Sequence, residues 1–339
     1  MKRLAIVARN VDSTNRGLLE AAATLGLNAL LLPPEAARRL RTGDVALGRL
    51  DVLPTLDGPE PGLETLRRLE EKGVLVLNRA GALFAAHDKL TTALRLAARG
   101  LPHPRTAHVG AAADPGFAFP VVVKPRFGSW GRDVTLCRTR SALERCLRGL
   151  APTGWFRRQG ALVQELIRPQ GYDLRILVAG GEIVGAVNRV AAPGEWRTNI
   201  ALGGDRRAAA PPAQACLIAL GAAAAVGTDL VGVDLLPDGE GGWVVLELNG
   251  AVDFTPEYGL RGESVFERVV QLLARPARGE TESSGAPSRA TAIACAGTTA
   301  AEASRTQASV ASAPSLAKQR HDELASRARD GRAGVAETA

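Results

Sequence analysis

The chain is short of aromatic, histidine, cysteine and methionine side chains. Phe, Trp and Tyr make up 4% of its 339 residues, beside four cysteines, four histidines and one methionine. Its cores must therefore be filled by small aliphatic side chains, chiefly Ala, Leu and Val. The cysteines at 137, 146, 216 and 295 form no CxxC pair and no association with the histidines at 87, 103, 108 and 321, so no zinc site is indicated. The same spacing gives no disulfide scaffold, so a reducing compartment fits. No Ser–His–Asp or Cys–His arrangement stands out, and chemistry built on a protein nucleophile is not indicated. Long apolar runs are missing as well: the start, MKRLAIVARN, offers a short run before Arg9, far below what a signal peptide or membrane span needs. The expectation is a cytoplasmic protein without a membrane segment.

Apolar residues make up 46% of the chain, and the formal net charge is +7. Lys and Arg are dispersed rather than gathered into one basic helix or tail, which argues against a nucleic-acid surface; an anionic ligand, or an Arg-rich composition alone, accounts for the charge. The length gives room for two domains. Residues 3–8 (RLAIVA) read as a buried strand, RGLLEAAATLGL has helical spacing, and an apolar run follows at 28–32. DVLPTL, GLETLRRLEEKG and VLVLN repeat the strand–helix alternation, so residues 1–80 are expected to form a small parallel α/β domain. DKLTTALRLAARG is a helix candidate capped by Asp88 and stopped at Gly100. Longer strands separated by glycine turns follow: FPVVVKP, DVTLC, ALVQELI, DLRILVAGGEIVGAVNRV, LVGVDLL and WVVLELNG. Helices are expected over 140–149 and 212–226, and hairpins at Gly180–Gly181 and PDGEGG. Residues 81–274 thus read as an α+β domain with antiparallel sheet. From 275 to 339 periodicity gives way to Ala, Ser, Thr and Gly, the composition of a disordered tail.

Two stretches carry chemistry. In VVVKPRFGSWGRDV a β-rich run delivers Lys124 to a loop holding Gly128, Ser129 and Gly131. Glycines let backbone N–H groups approach phosphate oxygens, and the ammonium adds compact positive charge. A strand ending in a solvated lysine and a plain turn gives the same letters, and the spacing matches neither Walker A nor the dinucleotide fingerprint. In VVLELNG, Glu247 and Asn249 are two residues apart and share a face, and folding about PDGEGG sets Asp234 opposite Glu247. Carboxylates so placed repel unless a cation or proton intervenes, and all three side chains offer hard oxygen donors, so magnesium is the natural ligand. The alternative is a solvent-facing acidic pair, which the apolar neighbours of each acid weaken.

Lys89, VVVKPRFGSWGR, VQELI, YDLRILVAGGEIVGAVNR, EWRTNIALGG and GVDLL with LELNG occur in the order found in the ATP-grasp superfamily. Over residues 1–274 the chain most resembles the RimK-like branch. The resemblance implies a small N-terminal parallel α/β domain followed by a two-lobed ATP-grasp domain. It implies an ADP-forming carboxylate–amine ligase that activates a carboxylate as an acyl phosphate and joins it to an amine. Asp234, Glu247 and Asn249 would hold two Mg2+ ions, with Mn2+ as the substitute, bridging the phosphates of ATP. By position, Lys89 and Lys124 contact those phosphates, and the loop of Gly128, Ser129, Trp130 and Gly131 closes over them. Trp130 would shield the closed site, and GSWGR resembles the LysX-like branch. Gln164, Glu165, Leu166 and Ile167 would line the adenine pocket, with Asp173 near the ribose, while Arg189, Arg197 and Asn199 face the phosphoryl-transfer centre. The implied partners are an amino acid, glutamate among them, and a carboxylate-bearing protein, peptide, cofactor or metabolite, acted on by a homo-oligomer. A dipeptide or small-metabolite ligase, or a catalytically silent ATP-binding module, is the alternative.

One position departs from the pattern. RimK-like and LysX-like chains usually carry an arginine immediately before the paired glycines of RTNIALGG, where this chain has Leu202. Losing that guanidinium bears on the substrate more than on the reaction, and Arg206 and Arg207, just beyond, are candidates to compensate.

Overall fold

The computed structural model describes residues 3–110 and 115–275. The chain opens with β1 (Leu4–Val7), α1 (Ser13–Thr24), β2 (Ala29–Leu32), α2 (Pro34–Ala37), β3 (Val45–Gly48), α3 (Leu63–Glu71) and β4 (Leu75–Leu77). The four strands form a parallel sheet in the order β2-β1-β3-β4. Helix α1 starts ahead of its apolar spacing because the Asp12 carboxylate accepts the Asn15 N–H at 2.6 Å. The strand expected over DVLPTL is corrected to Val45–Gly48; residues 51–56 form a loop in which Val52 bridges to Pro59. VALG is buried throughout, as an inner strand of a parallel sheet must be, whereas Pro54 has no N–H for a ladder.

Next come α4 (Ala80–His87) and α5 (Lys89–Ala98), then β5 (Thr106–Val109), β6 (Val121–Lys124), β7 (Thr135–Cys137), α6 (Arg140–Leu150), α7 (Gly154–Gln159) and β8 (Ala161–Glu165). The strands pair antiparallel in the order β5-β8-β6-β7 over a core that includes Leu143, Leu147, Trp155 and Phe156. The last part runs β9 (Tyr172–Ala179), β10 (Glu182–Val190), β11 (Asp205–Ala208), α8 (Ala213–Val226), β12 (Leu230–Pro237), β13 (Trp243–Asn249) and α9 (Val265–Ala274). It forms a second antiparallel sheet, β11-β10-β9-β12-β13. The β9–β10 turn uses Gly180 and Gly181, both at positive φ (52° and 75°), which the tight turn requires.

Alternation along these strands gives the five-stranded sheet two unlike faces. Leu174, Ile176, Val178, Val231, Val233, Leu235, Val245 and Leu248 pack with α8. On the other face Leu177, Ala179, Val187 and Leu230 join Phe254, Tyr258, α9 and the first parallel sheet in one core. Each large side chain buried there contributes about 1.5–3 kcal/mol. The expected boundary near residue 80 falls between β4 and α4. Beyond that core the same face turns polar, and it is there that the candidate site lies. Among the described residues no helix is long and apolar enough to cross a membrane. The low-complexity tail lies, from residue 276 onward, outside the described residues.

Candidate active site

The loop after β6 is stitched to the start of α5. Asp88, fully buried, accepts from Leu90 N at 3.1 Å, Thr91 Oγ1 at 2.7 Å and Arg126 Nε at 3.0 Å. The Lys89 N–H donates to Arg126 O at 3.1 Å and its Nζ to Gly128 O at 2.5 Å, 3.5 Å from Glu247 Oε2. Lys124 ends β6 and is buried; burial brings its ammonium down to about 8 although Glu247 opposes the shift. At Gly131, φ is +70° and a Cβ would come within 2.7 Å of Asn199 Oδ1, so a side chain there would displace Asn199. Arg197 latches the facing strap: it forks Glu195 at 3.0 and 2.8 Å, holding that carboxyl down to about 2, and donates to Gly131 O at 3.2 Å. Trp130 stands at φ +65°, is 55% exposed, and lies under the Arg132 guanidinium.

On the opposite wall the end of β8 is fixed by Gln164 Nε2 donating to Thr106 Oγ1 at 2.8 Å and by Glu165 Oε1 accepting the Arg105 N–H at 2.9 Å. Between the two antiparallel sheets these elements enclose a cavity. Lys89, Lys124, Gly128, Ser129, Trp130, Gly131, Gln164, Glu165, Leu166, Ile167, Asp173, Arg189, Arg197, Asn199 and Glu247 all line it. Every residue that the sequence reading assigns to the nucleotide or to phosphoryl transfer therefore meets one space. Ser129, Trp130, Arg189, Asn199 and Glu247 also line a second cavity, which Asn249 faces together with Asp51, His87, Arg206 and Asp253. His87 contacts Leu50 O at 2.7 Å, and burial holds its imidazole below the ordinary range.

Register explains the charges beneath. Asp234 lies opposite Glu247 on β13 and opposite Arg175 on β9, while Arg189 lies opposite Asp173. Asp234 is fully buried: Oδ1 accepts from Arg175 Nε at 2.6 Å, and Oδ2 from Arg175 Nη2 and Arg189 Nη2, each at 2.7 Å, and from Asn249 Nδ2 at 3.3 Å. Asp173 accepts from Arg189 Nε at 2.7 Å and Nη2 at 2.5 Å, and from the Thr198 hydroxyl. Burial alone would raise the Asp234 carboxyl, but the two guanidiniums outweigh it and hold it down to about 2. Asp173 has one guanidinium, and there burial prevails and pushes the carboxyl up. Two arginines and two aspartates form a buried quartet with no net formal charge. The repulsion read between Asp234 and Glu247 is thus met by arginine, Asp234 lines neither cavity, and the Asp173 carboxylate is directed to Arg189 and Thr198. Asp88, Arg126, Arg175 and Thr198 were missed as members of the site. Asp88 was legible as a cap, but its pairing with Arg126 across 38 residues was not.

A divalent cation takes oxygen donors. The Glu247 carboxylate faces both cavities, and Asn249 turns Nδ2 to Asp234, which leaves Oδ1 as its available donor. These two fit such an ion, whereas both Asp234 oxygens are taken by Arg175 and Arg189. Among the described residues no three of His, Cys, Asp and Glu gather around a metal position.

The sequence model of the RimK-like ATP-grasp domain matches residues 86–259, from the end of α4 to the turn beyond β13. The chain belongs to the RimK-like ATP-grasp family. It is 33% identical over 251 residues to a probable alpha-L-glutamate ligase of Serratia proteamaculans, covering 71% of this chain and 80% of that one. It is 30% identical over 273 residues to the tetrahydromethanopterin:alpha-L-glutamate ligase of Methanosarcina acetivorans, 70% of this chain and 82% of that one. A RimK domain ATP-grasp protein from Sphaerobacter thermophilus shares the fold, with a TM-score of 0.62 at 24% identity over 80% of this chain and 98% of its own. In this RimK-like chain Leu202 belongs to a short 3-10 turn, Ile200–Leu202, beside Gly131, and lines neither cavity.

Proposed function

We propose that this ATP-grasp ligase uses ATP to activate a carboxylate as an acyl phosphate and couples it to the amine of an amino acid, with L-glutamate the first candidate. The observation that carries the reading is the convergence of Lys89, Lys124, the Gly128–Gly131 loop, Arg189, Arg197 and Asn199 on one cavity between two antiparallel sheets. A substrate carboxylate oxygen attacks the γ-phosphorus as the bond to the β,γ-bridging oxygen breaks, and ADP leaves. Lys89, Lys124 and the Nη1 edge of Arg189, whose other nitrogens are fixed by Asp173 and Asp234, neutralise the charge spread over the phosphoryl oxygens. The amine nitrogen then bonds to the acyl carbon, the carbon–oxygen bond to phosphate breaks, and the amine sheds a proton. The Trp130 loop and the strap latched by Arg197 exclude water from the reactive acyl group. Mg2+, held by Glu247 and Asn249, would supply Lewis-acid charge at the phosphates, with Asp234 behind them as the anchor of Arg175 and Arg189; two such ions are the expectation.

Glutamate is supported by the names of the two ligases that share about a third of the aligned sequence. The carboxylate partner we take to be a protein, peptide or cofactor. A cytoplasmic homo-oligomer, with domains divided near residues 80 and 275, belongs to the same proposal. The test is ADP release from Mg–ATP against single amino acids, with and without peptides ending in glutamate and small carboxylates. Turnover that needs both an amino acid and a carboxylate supports the reading. Turnover with amino acids alone favours a dipeptide ligase, and nucleotide binding without turnover in any combination leaves a silent binding module.

A further inference from the structure

Three guanidinium groups line the second cavity, those of Arg175, Arg189 and Arg206. The first two are neutralised within the buried quartet. Arg206 is not. β11 pairs with β10 so that Arg206 lies directly opposite Arg189. Opposed residues of an antiparallel pair project from the same face, and like charges so placed destabilise one another. Arg206 therefore stands on the polar face of the sheet beside a cation that already has its counterions. Its Nε is buried without a hydrogen-bond partner, and no ion pair involves it among the described residues. Its charge reaches Glu257, exposed on the neighbouring turn, whose carboxyl is held below its ordinary range first by Thr255 and last by Arg206. Arg207 emerges on the other face, exposed, 3.4 Å from its own acid, Asp205. Strand alternation has thus selected one of the two adjacent arginines for the cavity and left it without an ion pair among the described residues.

Position narrows what that anion is. Arg206 lines the second cavity and not the nucleotide cavity, whereas Ser129, Trp130, Arg189, Asn199 and Glu247 line both. The carboxylate that is phosphorylated has to meet ATP at this shared seam, so a group held by Arg206 is a spectator of the chemistry. The second cavity also carries Asp51 and Asp253. It offers charge of both signs, as a zwitterion requires. We infer that Arg206 binds a non-reacting carboxylate of the substrate amino acid and so sets which amine substrates this chain accepts. The inference rests on the ligase reading for the identity of the ligand class.

Binding without turnover tests it separately from that reading. Parent, R206M, R206K and R207M proteins are saturated with a non-hydrolysable ATP analogue and Mg2+, then titrated with the twenty amino acids, and with L-glutamine and L-isoglutamine as the side-chain and α-carboxamide forms of L-glutamate. The expected result is that R206M weakens amino-acid binding about tenfold to a hundredfold, the worth of a charge-assisted contact. R206K should fall between, and R207M should keep parental affinity. The amide that replaces the anchored carboxylate should bind the parent and R206M alike. Parental affinity in R206M, equal loss in R207M, or a parent that binds no amino acid would overturn the assignment. ADP formation with parental binding in R206M would leave the ligase reading standing and remove Arg206 from it; loss of binding in R206M without ADP formation by the parent would do the reverse.

Discussion

Asp234→Asn and Glu247→Gln make the same chemical change at positions directly opposite each other in the β12–β13 pairing, yet their surroundings demand opposite outcomes. Asp234 is fully buried beneath Arg175 and Arg189, and an amide there leaves Arg175, 13% exposed, without its carboxylate and the buried Arg189 with Asp173 alone. Removing one partner of a buried ion pair costs about 3–5 kcal/mol. At the roughly 2 °C per kcal/mol expected of a folded unit above 200 residues, the apo protein should lose about 6–10 °C in Tm. Because Asp234 is held at about 2, below the ordinary 3.8, its contribution is present above pH 3.8 and fades as pH falls through 2. The gap between parent and D234N should therefore be constant from pH 5 to 8. The Glu247 side chain has Lys89 at 3.5 Å and 19% exposure, and such a pair contributes about 0–1 kcal/mol. E247Q should keep its apo Tm within about 2 °C, lose ligation, and lose the extra stabilisation that Mg2+ gives in the presence of nucleotide. Calorimetry of the three apo proteins and ADP release with Mg–ATP read both effects. A D234N protein melting with the parent would refute the buried quartet; an E247Q protein turning over ATP at the parental rate would refute Glu247 as the ion's ligand.

Three further outcomes follow from the nucleotide loop. Lys124, at about 8 against an ordinary 10.5, binds fewer protons folded than unfolded across that window, so its contribution to stability rises from pH 8 to 10.5 while nucleotide affinity falls. Titration calorimetry at pH 8.5 in buffers of different ionisation heat should register proton uptake with ATP, absent in K124M. G131A forces a left-handed residue to carry a Cβ against Asn199, which costs about 1–2 kcal/mol of backbone strain alone; nucleotide affinity should drop about tenfold or more, and parental affinity would show that the loop seats elsewhere. W130G removes a bulky side chain from φ +65° and should hold or raise the Tm by about 2 °C, while more of the ADP formed is unaccompanied by amide product because the acyl group is less shielded.

What the sequence made legible was local or fixed by a turn. The pairing of Asp234 with Glu247 could be read because PDGEGG fixes the hairpin register and the two-residue period fixes the face. The α5 cap could be read because Asp88 sits two residues from the N–H it accepts. Helix α4 went unread because it is buried nearly all round, and a helix without a polar face has no periodic signature. Strand β11 went unread because DRRA, at the edge of its sheet, shows no apolar alternation. The quartet was beyond reach for a different reason. Arg175 meets Asp234 across 59 residues and Arg189 meets it across 45, so two facing acids read from the hairpin alone looked unopposed.

That pairing also decides what the site can bind. Asp173 and Asp234 are turned inward to hold Arg175 and Arg189 in fixed orientations, which leaves Glu247 as the acid the two cavities share. Against it stand Lys89, Lys124 and Arg206, none tied into the quartet. Burial lowers the affinity of Lys124 for its proton although Glu247 opposes the shift, and Arg206, which cannot deprotonate, keeps an unmet donor instead. A site arranged in this way holds Lys89, Lys124 and Arg206 in place before any ligand arrives, with Asp51 and Asp253 beside them on the second cavity. Polyanions and carboxylates are the groups these cations take, and because the guanidiniums fixed by Asp173 and Asp234 need no reorientation when a ligand binds, most of their electrostatic attraction remains available to the transition state.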